Sequence, residues 1–118
     1  MGHTFTVYSL AVLPNGDLVS SSTDKTIIIW NPNNGSIKRR LSHTSSVISL
    51  AVLRNGDLAS GSSDKTILIW DVNEGSVKRK LTGHTAYVSS LAVLPNGDLA
   101  SGSFDKTVII WNPYDPCK

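Results

Sequence analysis

Residues 50–70 read Leu50-Ala-Val-Leu-Arg-Asn-Gly-Asp-Leu-Ala-Ser-Gly-Ser-Ser-Asp-Lys-Thr-Ile-Leu-Ile-Trp70. Val47 to Leu53 is rich in β-forming residues, and Asn55-Gly56 is a strong signal for a tight hairpin turn. Asp57 to Ser62 supplies a second strand, and Asp64-Lys65 is polar turn material. Thr66 to Trp70 sets β-branched and aliphatic residues in succession, which predicts a strand buried on both faces. Asn73-Glu-Gly75 turns the chain again. From Ser76 to Leu81, Val77, Arg79 and Leu81 alternate with Ser76, Lys78 and Lys80, predicting a fourth strand with one solvated side. The stretch therefore reads as one twisted antiparallel sheet of four strands, and no helical period competes.

The same text stands twice more in the chain. Leu10 to Leu18 and Leu91 to Leu99 repeat Leu50 to Leu58, with proline in place of Arg54. Ser22-Thr-Asp-Lys-Thr26 and Ser103-Phe-Asp-Lys-Thr107 repeat Ser62-Ser-Asp-Lys-Thr66. Each copy ends at a tryptophan, and Trp30, Trp70 and Trp111 lie 40 and 41 residues apart. The extra residue falls at the junction, where Leu41-Ser-His43 stands against Leu81-Thr-Gly-His84. A period of this length marks stacked repeat units, each one supersecondary element. The copies divide the chain at about residues 3–42, 43–82 and 83–112, with a tail over 113–118.

The 118 residues carry a formal net charge of +2. That is too weak for a dedicated nucleic-acid surface, so nucleic acid is an unlikely partner. No apolar run approaches the roughly 18 residues that span a bilayer, so no membrane partner is expected. Met1-Gly2-His3-Thr4 lacks the basic and apolar regions of a secretory signal. The single cysteine, Cys117, precludes an internal disulfide; it reads as an inert thiol, with a linked dimer under oxidising conditions as the alternative. One unpaired cysteine fits a reducing compartment such as the cytoplasm. No ligand cluster suggests a metal, and no cofactor is expected.

The Gly-His pair, the Asn-Gly-Asp hairpin, Ser-x-Asp-Lys-Thr and Trp-Asp together make the chain resemble the WD40-repeat β-propeller family over nearly its whole length. The resemblance implies an all-β fold of WD40-type four-stranded antiparallel blades. It departs in detail: Trp70-Asp71 keeps the name-giving pair while Trp30-Asn31 and Trp111-Asn112 do not. Ser42 precedes His43 where glycine is usual, and Ser21 replaces the glycine found at Gly61 and Gly102.

Each copy holds a serine, a histidine and an aspartate, which also suggests a hydrolase. The resemblance instead implies buried hydrogen-bonded tetrads of histidine, serine, aspartate and tryptophan. These are His3, Ser20 or Ser22, Asp24 and Trp30; then His43, Ser60 or Ser62, Asp64 and Trp70; then His84, Ser101 or Ser103, Asp105 and Trp111. Buried carboxylate, imidazole and indole N–H groups all require partners. A catalytic constellation would rarely be installed three times. No catalytic residue is therefore expected. Lys38-Arg-Arg40 and Lys78-Arg-Lys80 fall on the outermost strands, where charge discourages edge-to-edge aggregation.

The copies differ most at Phe5, Tyr8, Ser46, Ile48, Tyr87 and Ser89, around a fixed valine, and at Thr23, Ser63 and Phe104 before the turn aspartate. Leu10, Leu50 and Leu91 do not vary and read as core. The resemblance places the variable residues on the top face of a propeller, where a protein or peptide would bind. Aromatic residues such as Tyr8, Tyr87 and Phe104 are those that binding hot spots use.

Three blades do not close a ring, since propellers of this family mostly have seven or eight. Two terminal faces of hundreds of square ångströms would remain, and covering them at about 25 cal/mol per Å² contributes on the order of 10 kcal/mol. Self-assembly is expected, into a homotrimer with nine blades or a homodimer with six. Nine is favoured because near-parallel packing preserves the buried aliphatic faces. Pro113 and Pro116 cannot donate to a ladder, so 11 strands are expected, with a three-stranded last blade and no latch from the other terminus. The function expected is a non-catalytic protein-interaction scaffold. An engineered or cut-down propeller fragment with no dedicated partner is the alternative, and a hydrolase the third reading.

Overall fold

The computed structural model describes residues 7–112, except residues 23, 43, 44, 55 and 73. They form eleven strands and no helix: β1 (Val7–Val12), β2 (Leu18–Ser22), β3 (Thr26–Asn31), β4 (Ser36–Ser42), β5 (Val47–Val52), β6 (Leu58–Ser62), β7 (Thr66–Asp71), β8 (Ser76–Thr82), β9 (Val88–Val93), β10 (Leu99–Ser103) and β11 (Val108–Trp111). The sheets run β1-β2-β3-β4, β5-β6-β7-β8 and β9-β10-β11, with every pairing antiparallel. The last sheet is three-stranded among the described residues, as its sequence predicts.

Local chemistry explains the repetition. In the β1–β2 hairpin the N–H of Leu13 donates to the carbonyl of Asp17, and that of Gly16 to Leu13, both at 2.8 Å. Gly16, Gly56 and Gly97 have φ of 94°, 91° and 92°, a region open chiefly to glycine. The Asn15 side chain accepts the Asp17 N–H at 2.9 Å, and Asn96 does the same for Asp98, fixing the turn from within.

Each first strand carries a bulge opposite the end of the second. Val7 pairs with Ser22 and Ser9 with Ser21, leaving Tyr8 unpaired between them; Ile48 and Ser89 stand at the same bulge in the next two sheets. A bulge re-aims one side chain without breaking the ladder. Three of the sequence-variable positions are therefore the bulged residues.

The core lies between sheets. Val19, Ile27, Ile29 and Leu41 of the first pack on Val47, Leu50, Leu58 and Trp70 of the second. Ala59, Ile67, Ile69 and Leu81 of the second pack on Val88, Leu99 and Trp111 of the third. The β7 strand is accordingly covered from both sides, in line with its unbroken apolar run.

Two sequence expectations are corrected. Leu10 is not core: it is 62% exposed, as is Val12, because among the described residues no sheet packs on that face of the first. Leu91 is only half-buried, whereas Leu50 is buried between two sheets. The fourth strand β8 has the expected solvated side, Ser76, Lys78 and Lys80, but its other side is covered only by degrees, with Val77 exposed, Arg79 half-buried and Leu81 buried. At the rim the neighbouring sheet reaches one end of that strand alone.

Candidate functional site

Three features invite chemistry or binding: the tetrads, the variable end of the sheets, and the two outer faces. The third tetrad falls wholly within the described residues. His84 Nδ1 lies 3.0 Å from Asp105 Oδ2, and its Nε2 lies 2.6 Å from Ser101 Oγ. The indole N–H of Trp111 donates to the same Ser101 oxygen at 2.7 Å. One arrangement satisfies all three contacts: the hydroxyl proton of Ser101 goes to Nε2 and the proton on Nδ1 to Asp105. Asp105 also accepts the Thr85 N–H at 2.9 Å and the Thr107 hydroxyl. The Thr107 hydroxyl above all, then the Thr85 N–H and His84, hold its carboxyl below the usual carboxylate range.

The first two sheets repeat the serine–tryptophan half of this network. The indole N–H groups of Trp30 and Trp70 donate to Ser20 and Ser60, each at 2.9 Å. Ser22, Ser62 and Ser103 do something else: their oxygens accept the backbone N–H of Asp24, Asp64 and Asp105 at 3.1, 3.0 and 3.1 Å. Those aspartates in turn take the N–H and hydroxyl of Thr26, Thr66 and Thr107. The geometry thus separates two serines per repeat that the sequence left as alternatives. The histidines His3 and His43 lie outside the described residues.

Ser101, His84 and Asp105 stand in the order of a hydrolytic triad, but the arrangement is closed. Ser101 is 1% exposed and its oxygen already receives the indole proton. A nucleophile must reach an incoming carbonyl, and this oxygen faces tryptophan and imidazole instead. Among the described residues no group of three histidine, cysteine or acidic side chains is placed to hold a metal ion.

The variable residues form pairs. Phe104 N–H donates to the Tyr87 carbonyl and Ser63 N–H to the Ser46 carbonyl, both at 3.0 Å. In the second and third sheets the residue before the turn aspartate is thus tied to the one at the start of the neighbouring inner strand. In the third sheet the pair is aromatic: the rings of Tyr87 and Phe104 lie 5.4 Å apart at 37°, and Phe104 is 64% exposed. In the second sheet the equivalent place is small and polar, with Ser63 and Ser45 hydroxyls in contact. Ile48 is half-buried, and the Ser89 hydroxyl turns back to the Gly102 carbonyl at 3.3 Å. Phe5, Thr23 and the Tyr8 side chain lie outside the described part. Sequence variation found these positions; only the structure joins them in twos.

At the opposite end, Lys38 reaches Asp17 at 2.7 Å and Lys78 reaches Asp57 at 2.8 Å, each spanning from the fourth strand to the first hairpin of its sheet. The Asp57 carboxylate raises the Lys78 pKa. Sequence reasoning treated these lysines as part of a solvated basic rim and missed their internal partners. The i to i+21 spacing common to both pairs was the available signal. On the flat faces, Leu10 and Val12 of the first sheet and Val108 and Ile110 of the third, 71% and 55% exposed, stand in the open.

The family model for the WD domain, G-beta repeat, matches residues 1–31, 35–71 and 75–112. The fold is similar to the WD40 beta propeller domain of Doa1, with a TM-score of 0.88 and 32% identity over 97% of this chain and 39% of that one. It is equally similar to U3-55K, at TM-score 0.88 and 31% identity over 96% of this chain and 38% of that one. The RRP9 WD40 repeats give TM-score 0.88 and 31% identity over 96% and 37%. The chain spans about two fifths of the length of these solved propellers. Comparison with curated proteins gives no match.

Proposed function

The chain belongs to the WD40-repeat family, and from that premise we propose a non-catalytic protein-interaction scaffold that completes its propeller by docking copies of itself end to end. One observation carries the reading. The outer faces of the first and third sheets hold the residue types that are buried or half-buried between sheets elsewhere. Leu10 and Val12 occupy the positions of Leu50 and Val52; Val108 and Ile110 occupy those of Ile27 and Ile29 in the first sheet and Ile67 and Ile69 in the second. The last sheet of one copy therefore offers the next copy what the second sheet offers the third. Such a head-to-tail contact closes into a ring or grows into a filament. The nine-bladed trimer keeps neighbouring blades more nearly parallel than the six-bladed dimer and is the preferred ring.

Within that ring, Tyr87 and Phe104 form an aromatic anchor for a protein or peptide partner, flanked by Ser46, Ile48, Ser63 and Ser89. The same residues in the other sheets, among them Phe5, Tyr8 and Thr23, give each blade a different surface on a common frame. The closed Ser101 hydroxyl supports a structural rather than hydrolytic role.

Light scattering over a concentration series tests the assembly. A mass of three chains that persists on dilution is the expected result, and two chains would give the six-bladed form. Val108→Lys combined with Ile110→Lys, at side chains that are exposed in the single chain, should leave a folded monomer. A wild-type chain that is monomeric throughout the series overturns the proposal.

A further inference from the structure

The basic runs Lys38-Arg-Arg40 and Lys78-Arg-Lys80 each lead into a buried leucine and then an exposed hydroxyl, Leu41 and Ser42 in one, Leu81 and Thr82 in the other. Ser42 and Thr82 are the only serine or threonine residues of the chain with an arginine three positions before them. Both also have a basic residue two positions before, Arg40 and Lys80.

The fold exposes the first of these more fully. The β4 strand is the last of its sheet and is hydrogen-bonded along one edge, to β3. Ser42 ends it, opposite Thr26. Side chains alternate along a strand, so buried Leu41 turns inward while Arg40 and Ser42 turn outward. Arg39, Arg40 and Ser42 are all exposed. Arg39 lies over the β7–β8 turn, its Nη1 2.5 Å from the place where a side chain on Gly75 would start. Contacts of an exposed guanidinium are weak, and a bidentate pair with a carboxylate outweighs them. In the second sheet Arg79 is half-buried, so its run is less open. Thr82 nevertheless stays exposed in a sheet with neighbours on both sides. Ring closure would therefore leave the equivalent Ser42 open, and the site does not depend on the assembly proposed above.

We propose that Ser42 is a phosphorylation site for a protein kinase whose substrate groove carries carboxylates for Arg39 and Arg40. An extended segment sends two successive guanidinium groups to opposite sides, and charge patterns of this kind select kinase substrates. The Ser42 Oγ attacks the γ-phosphorus of a magnesium-bound nucleoside triphosphate. The new Oγ–P bond replaces the bond to the β–γ bridging oxygen, the nucleoside diphosphate leaves, and the hydroxyl proton passes to a carboxylate base of the kinase. The product adds about −1.5 to −2 charges at neutral pH to a chain whose formal net charge is +2. Arg40 on the same strand face and Lys25, next to the opposed Thr26, are cations at hand for the phosphate. The charge appears at the end of the first sheet that also carries the bulge at Tyr8.

The test incubates the native full chain with magnesium ATP and the catalytic subunit of cyclic-AMP-dependent protein kinase, an arginine-directed enzyme. Intact-mass spectrometry should show one phosphate gained, and fragmentation should place it on Ser42. Arg39→Ala and Arg40→Ala should each lower kcat/KM at least about tenfold, the loss of one charge-assisted pair. Lys80→Ala, which removes a charge from the other run, should leave the rate unchanged. Ser42→Thr should still accept phosphate and Ser42→Ala should not, with urea midpoints confirming that both variants are folded. A synthetic peptide of residues 36–46 sets the rate for an unrestrained segment, and the native chain should come within about tenfold of it, as expected of a strand end that opens readily. Phosphate on any other residue, indifference to both arginine changes, or a native chain that stays unmodified would overturn the proposal. A peptide that reacts while the native chain does not would show that β4 holds Ser42 closed.

Discussion

Replacing Ser101 with alanine isolates the energetic role of the tetrad. The hydroxyl serves two buried partners, the Trp111 indole at 2.7 Å and His84 Nε2 at 2.6 Å. Alanine leaves a donor and an acceptor enclosed without partners, and each such group costs about 1–3 kcal/mol. Partial relaxation reduces the sum, so the expected loss is about 2–4 kcal/mol. For a chain of this size that is a melting temperature about 8–16 °C lower. Ser103→Ala is the internal control. Its oxygen accepts the Asp105 N–H at 3.1 Å and donates to the Ala86 carbonyl at 3.3 Å in a half-buried setting, worth about 1 kcal/mol. Urea unfolding at fixed protein concentration compares the two variants with the wild type. A third variant, Trp111→Phe, removes the donor, and the double change should cost less than the sum of the singles. Equal, small losses for Ser101→Ala and Ser103→Ala would refute the argument. So would full stability in Ser101→Ala combined with loss of an esterase turnover present in the wild type.

Four further outcomes are expected. Ser21 and Gly61 occupy one repeat position, and the Ser21 hydroxyl is buried with no hydrogen-bond partner. Ser21→Ala should therefore raise stability by about 1 kcal/mol. Gly61→Ala should lower it by about 1–3 kcal/mol, since the added methyl would lie 2.7 Å from Val88 Cγ1 and Ser49 Oγ; equal signs in urea titrations would contradict this. Lys65 sits at φ 76° in the β6–β7 turn, and Lys65→Asn should stabilise by about 0.5–1 kcal/mol because asparagine tolerates that conformation better; an unchanged midpoint would show that the turn is not strained. The depressed Asp105 carboxyl makes the fold acid-sensitive. Its contribution is complete above about pH 4, the ordinary aspartate value, and is lost as pH falls toward the lower folded-state value. Asp105→Asn should flatten that acid limb in a melting series, and an unaltered limb would assign the sensitivity elsewhere.

How much was legible depended on how local the cause was. The eleven strands, the three-sheet division and the short last sheet could be read directly. Alternation, Asn-Gly hairpins and polar turns act between residues a few positions apart and are written three times over. The tetrad partners were legible only as a set. Which serine meets the tryptophan depends on the register that opposes Leu58 to Trp70 and puts Ser60 beneath the indole, while Ser62 lies at the strand end beside Asp64. The bulges at Tyr8, Ile48 and Ser89 left no composition signal, because one unpaired residue in a strand looks like any other.

By itself, then, the sequence determined the repeat, the strand order within each sheet and the residues that differ between copies. Tertiary structure alone decided what those residues meet. Leu10 and Leu50 are the same residue in the same strand of the same repeat, yet one faces solvent and the other the core. Burial is set by the neighbouring sheet, which the local pattern does not encode. Lys38 and Lys78 are likewise basic residues on an outer strand until the sheet twist brings them to Asp17 and Asp57. Asp98 and Val108 keep the same chemistry at the edge where, among the described residues, no fourth strand lies.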